Sequence, residues 1–217
     1  MKKGRLYDRQ EIELIAKSAI GKSLNDILNE ELVTIEDKEA NKGGFGQLIE
    51  KYLFGMDNNS DSEPDFMPAG IELKVTPYKR IKKSELSAKE RLVLNIIDYE
   101  TEYKNEFRSS HFWYKNNKIQ LLWYLWEAGK DKKDLKITHE KLLELSKNED
   151  LKQIEEDWNL IIKKIREGKA HEISEADTMY LGACSKGANA LSTRKQPFSD
   201  IPAMQRAFCF KNSYMTQ

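Results

Sequence analysis

Between Asp65 and Thr76 the chain reads Asp-Phe-Met-Pro-Ala-Gly-Ile-Glu-Leu-Lys-Val-Thr, and the second half of this stretch alternates with a period of two. A strand here must bury Ile71, Leu73 and Val75 on one face and turn Glu72, Lys74 and Thr76 to the other. Glu72 and Lys74 then stand side by side. Upstream, Pro68-Ala69-Gly70 predicts a turn that lets the chain double back and bring the Asp65 carboxylate beside Glu72. Two carboxylates in contact repel one another unless a cation lies between them. A hard divalent ion with oxygen ligands, Mg²⁺ first, would satisfy both and could also use the Leu73 carbonyl. Such an ion polarises a phosphodiester, while Lys74 is positioned to orient or deprotonate an attacking water and to offset developing charge. The plainer alternative is an exposed acid–lysine pair, since this spacing recurs in any charged chain.

Three spaced blocks extend the first reading: Gly43-Gly-Phe-Gly46-Gln-Leu-Ile-Glu50, Gly70-Ile-Glu72-Leu-Lys74-Val-Thr-Pro77, and Tyr180-Leu followed by Ser185-Lys186-Gly-Ala-Asn-Ala190. In this order they resemble the MutH-type mismatch-repair nucleases and, more closely, the Sau-type restriction endonucleases that cut at GATC. The phrases Lys89-Glu-Arg-Leu-Val-Leu-Asn-Ile-Ile97, Gly168-Lys-Ala-His171-Glu and Arg206-Ala-Phe208 resemble the restriction branch in particular. The resemblance runs from about Ala19 to Thr216. It implies a restriction-endonuclease-like core, a central mixed β-sheet flanked by helices, and two lobes around a DNA cleft. It also implies a Mg²⁺-dependent endonuclease acting on double-stranded DNA at GATC. Glu50, Asp65 and Glu72 would hold the metal, and Lys74 and Lys118 would aid water attack and charge stabilisation. Lys42, Gly43, Ser185, Lys186, Arg194, Arg206 and Cys209 would meet DNA, with Lys186 matching a base-reading lysine. Cys209 falls where the repair branch carries a tyrosine near the methylated adenine, a departure that favours a restriction-type relative. The competing functions are a MutH-like nicking enzyme in mismatch repair and a catalytically idle DNA-binding lobe.

A chain of 217 residues with 36 basic and 36 acidic side chains is formally neutral, so any DNA site must be a local patch. Two such patches stand out: Lys79, Arg80, Lys82 and Lys83, and the basic tail beyond Cys184. The two cysteines, Cys184 and Cys209, lack metal-ligand spacing and the three histidines are scattered, which argues against zinc and against a disulfide framework. His171 reads as a structural group. No apolar run is long enough to span a bilayer and no h-region follows Met1, so the expected location is the cytoplasm.

The expected organisation is one catalytic domain over residues 1–217, the N-terminal part of a longer protein with a C-terminal MutH-like domain, or a second copy, for symmetric cleavage. Asp8-Arg-Gln-Glu11 is a capping box opening a helix that carries Ile12, Ile15, Ala16 and Ala19. Further helices are expected from Ser23, over Phe45 to Leu53, and from Asp150 to Gly168. Leu32 to Ile35 suggests a short strand. Arg91 to Ile97 is expected at a sheet centre, Lys118 to Trp126 as a second such strand, and Met179 to Ala183 as a short one. Asp131 to Lys147 is expected as loop and short helix, and Ser213 as the cap of a further helix.

Overall fold

A computed structural model describes residues 6–30, 44–56, 62–82, 85–187, 189 and 191–217. The expected strand at Leu32 to Ile35, and Lys42 and Gly43 with it, lie outside the described residues. The chain divides into two compact units, one of residues 1–90 and 118–144, the other of 91–117 and 145–217.

In the first unit, Asp8 caps α1 (Arg9–Ser18): its side chain accepts from the Glu11 amide, and Glu11 accepts from the Asp8 amide in return. Then follow α2 (Leu24–Glu30), α3 (Phe45–Leu53), β1 (Glu72–Lys82), β2 (Glu85–Ala88), β4 (Lys118–Leu125) and β5 (Ile137–Glu144). The sheet order is β2-β1-β4-β5, with β1 and β4 parallel and the outer pairings antiparallel, so the expected mixed α/β sheet is borne out. All three helices bury their apolar stripes in one cluster, where Ile12, Ile27, Leu48 and Ile49 meet Ile71, Leu73 and Leu122 from a single face of the sheet. Each such side chain removed from water contributes about 1.5–3 kcal/mol.

β5 was not expected, because Thr138-His139-Glu140-Lys141 lacks a strand's apolar face. Among the described strands it pairs with β4 alone, and an edge strand carries its charges into solvent at little cost.

The second unit holds β3 (Leu92–Ile96), α4 (His111–Asn116), α5 (Leu151–Arg166), β6 (Leu181–Ser185), β7 (Thr193–Gln196), β8 (Ser199–Met204), β9 (Arg206–Phe210) and α6 (Asn212–Met215). Its three-stranded sheet has the order β3-β9-β6, and β7 and β8 form a separate ribbon. β3 is therefore an edge strand, against the expectation of a central one. Its register slips between Val93 and Ile96, which leaves Ile96 44 % exposed. The last helix starts at Asn212, one residue before the expected cap.

Asp157 ties α5 to β6. It is fully buried, and its carboxylate accepts from the backbone amides of Met179, Tyr180 and Leu181 at 2.9, 2.6 and 2.8 Å. Asp157→Ala strands three donors and should cost about 3 kcal/mol in urea unfolding, while Glu156→Ala on the exposed face of the same helix should stay within about 0.5 kcal/mol. Equal effects would show that the carboxylate does not hold β6.

Candidate active site

The turn before β1 folds as the sequence requires. Phe66 and Ile71 form an antiparallel bridge, the Phe66 amide donating to the Ile71 carbonyl at 2.9 Å, and Gly70 turns the corner at φ +65°, where a Cβ would be strained. Asp65 and Glu72 are the residues that flank this bridge on its outer side. The Asp65 carboxylate accepts from the Leu73 amide at 2.8 Å, which fixes it beside the head of β1.

Glu72 is 2 % exposed, unlike the solvated glutamate of the plainer reading. Lys74 Nζ lies 2.6 Å from its Oε1 and is itself largely covered. A buried carboxylate needs a compensating positive charge, and Lys74 supplies it.

The other expected members are arranged differently. Glu50 is half-buried on α3, one turn beyond Gly46 and on the same stripe; a Cβ at Gly46 would lie 3.8 Å from Val75 Cβ, so this stripe faces β1. Val75 belongs to the core face, whereas Glu72 and Lys74 belong to the opposite one. Lys118 is also separated from Lys74. Glu72 stands level with Ile119 in the parallel ladder, so Lys118 falls level with Ile71 and shares its face. There it lines a 340 Å³ pocket with Tyr7, Arg9, Glu11, Pro68, Ala69 and Ile71. Among the described residues no three His, Cys, Asp or Glu side chains gather as a metal-holding group. The structure thus bonds Lys74 to Glu72 and holds Asp65 on the Leu73 amide, while Lys118 lines the pocket on the other face.

In the second unit, Ser185, Lys186 and Arg194 are exposed, as contact with a ligand requires. Arg206 is half-buried, its Nη1 donating to the Ala183 carbonyl at 2.7 Å. Cys209 does not fit the expected place against DNA. It is fully buried in a small cluster with Cys184, Ala207 and Val93, and a hydrogen bond with Cys184, then burial, pushes its thiol pKa up. β9 is buried on both faces from Ala207 to Phe210, so Cys209 has no surface to offer to DNA. Asp157 and Gln205 went unnoticed in the sequence, where a lone acid in a helix and a glutamine between strands carry no local signal.

Residues 54–157 match the family model described as the DNA mismatch repair enzyme MutH. The chain is 44 % identical over 209 residues to the type II restriction enzyme Sau3AI of Staphylococcus aureus, across 96 % of this chain and 42 % of that protein. In sequence the chain is thus similar both to the MutH repair enzymes and to this restriction enzyme. The DNA mismatch repair protein MutH of Shigella flexneri serotype 5b is 28 % identical over 167 residues, covering 73 % of the chain and 67 % of that protein. The restriction-endonuclease-like fold of the family accords with the mixed sheet and its flanking helices. The chain spans about two fifths of the length of the staphylococcal enzyme. No helix among its described residues is long and apolar enough to cross a membrane.

The Glu72–Lys74 pair gives a stability prediction. Lys74→Met leaves a buried carboxylate without its cation and should cost about 1–3 kcal/mol at pH 8, below the usual penalty for a fully buried pair because Lys74 keeps some solvent. In the variant the Glu72 pKa rises in the folded state, so the loss is full above that pKa and shrinks as pH falls through it. A pH-independent loss in urea unfolding would mean that the pair contributes packing alone.

Proposed function

We propose that this chain is the catalytic part of a Mg²⁺-dependent endonuclease that hydrolyses double-stranded DNA at GATC. The observation that carries the reading is the bond of Lys74 to the buried Glu72, with the Asp65 carboxylate held on the Leu73 amide between them in sequence. The similarity to a type II restriction enzyme along nearly the whole chain supports it.

Asp65 and Glu72 fit a hard divalent ion, because Mg²⁺ is commonly held by one or two carboxylates together with substrate phosphate oxygens. Two carboxylates therefore suffice, and Glu50 is kept only as an outer partner. When bound, the ion supplies Lewis acidity at the phosphodiester and lowers the pKa of water. Lys74 holds the attacking water by hydrogen bond at Nζ and offsets the negative charge that develops on the phosphate. Glu72, through its bond to Nζ, keeps that ammonium in place. Lys118, on the other face, has no step in this reaction. Lys79, Arg80 and Lys82, all exposed on the β1–β2 hairpin, are candidate phosphate contacts, and Lys186 a candidate base contact.

One Asp65–Glu72–Lys74 set attacks one strand, whereas a palindrome presents two strands related by a two-fold axis. A second copy, or a C-terminal MutH-like domain in a longer protein, completes symmetric cutting. On a supercoiled plasmid with GATC sites, the chain should nick before it linearises, only with Mg²⁺, and with a rate that rises with protein concentration. Glu72→Ala should abolish cutting and Lys74→Ala should cost ~10²-fold in rate. Normal cutting by Glu72→Ala, or cutting in EDTA, would sink the reading.

A further inference from the structure

Gln205 sits between β8 and β9 and is bonded three ways. Its carbonyl accepts from the Lys186 amide at 2.8 Å, and its amide donates to the Ser192 carbonyl at 2.8 Å. Its side-chain Oε1 accepts from Arg194 Nε at 3.0 Å. The first two bonds pin Lys186 and Ser192 to one residue. Gly187 tightens the same neck, since a Cβ there would come within 2.3 Å of Ser192 Cβ. The third bond fixes the Arg194 side chain by its inner nitrogen. Arg194 is exposed, and among the described residues no carboxylate pairs with it. Its two terminal nitrogens therefore form a planar fork whose orientation is set by Gln205 and whose outer edge is open.

We propose that Gln205 is a positioning residue for target recognition, holding the Arg194 fork beside Lys186 so that it grips a pair of adjacent acceptors on double-stranded DNA. This rests on the DNA-cutting reading above. Such a pair is offered by guanine O6 and N7 in the major groove and by two oxygens of a backbone phosphate. The guanine edge is the favoured source, because a fork held by Nε loses little side-chain entropy on binding and gains direction, which a point-charge contact does not need. Gln205 itself need not touch DNA: any residue but proline at this position can make the two main-chain bonds, so a side-chain substitution isolates the hold on Arg194.

The test measures binding by fluorescence anisotropy in Ca²⁺, with a short GATC duplex and a duplex of scrambled site, over a range of salt. A wild-type chain that binds neither duplex would reject the DNA-cutting reading itself. With binding established, Arg194→Met should lose about tenfold or more in preference for GATC, and Gln205→Met a smaller share of it. Adding Gln205→Met to Arg194→Met should change nothing further, whereas in a Lys195→Met background, one residue away and not bonded to Gln205, its effect should persist in full. Arg194→Met also distinguishes the two sources: loss confined to the GATC duplex marks the guanine edge, and an equal loss on both duplexes with a smaller salt slope marks a phosphate, which overturns the recognition role. Additive costs in the Gln205–Arg194 double variant, or no effect of Gln205→Met, would equally overturn it.

Discussion

Parallel pairing of β1 with β4 is the constraint from which the rest of the architecture follows. Parallel neighbours cannot be joined by a tight turn; the chain must travel a dozen residues or more before it returns. Here it uses the interval for β2 and for residues 91–117, the first segment of the second unit, and only then enters β4. The remaining segment, 145–217, completes that unit after β5 has closed the sheet's far edge. One ladder thus seats β1 inside the sheet, and the carboxylate–lysine pair with it, while committing the chain to build a second compact unit.

An interior strand is also where a carboxylate is costly to bury. Glu72 at 2 % exposure would be pushed toward its neutral form without a nearby cation. Lys74 offsets part of that cost, and Asp65 adds a second negative charge at the head of β1, fixed by the Leu73 amide. The arrangement costs stability unless more positive charge arrives, which is what a site for a divalent ion and a phosphodiester provides. The same logic appears in the second unit with the opposite sign. Arg194 is held at one nitrogen and left open at the others, so its charge is available to a ligand.

Much of this was legible in the sequence, because the signals are local. The alternation over 71–76, the capping box at Asp8 and the apolar stripes of α1, α3 and α5 each specify an element within a few residues, and each element formed. What was not legible depends on partners far along the chain. β5 and the β7–β8 ribbon carry mixed polar residues that become strands only by pairing, and β3 looks central until its single neighbour is known. The face of Lys118 is set by the register of β4 on β1, which no motif spells out. Cys209 was misplaced for the same reason: pairing of β9 between β3 and β6 and packing against Cys184 bury it.

The central claim is that Asp65 and Glu72, which flank the bridge at the head of β1, jointly hold a divalent ion. Mn²⁺ titration followed by electron paramagnetic resonance, with a short GATC duplex present, tests it most directly on the wild type and on Asp65→Asn, Glu72→Gln and Lys118→Met. The account predicts that each carboxylate variant loses most of the bound-ion signal at Mn²⁺ levels that saturate the wild type, while Lys118→Met retains it. Wild-type binding in both carboxylate variants, or loss only in Lys118→Met, would contradict it.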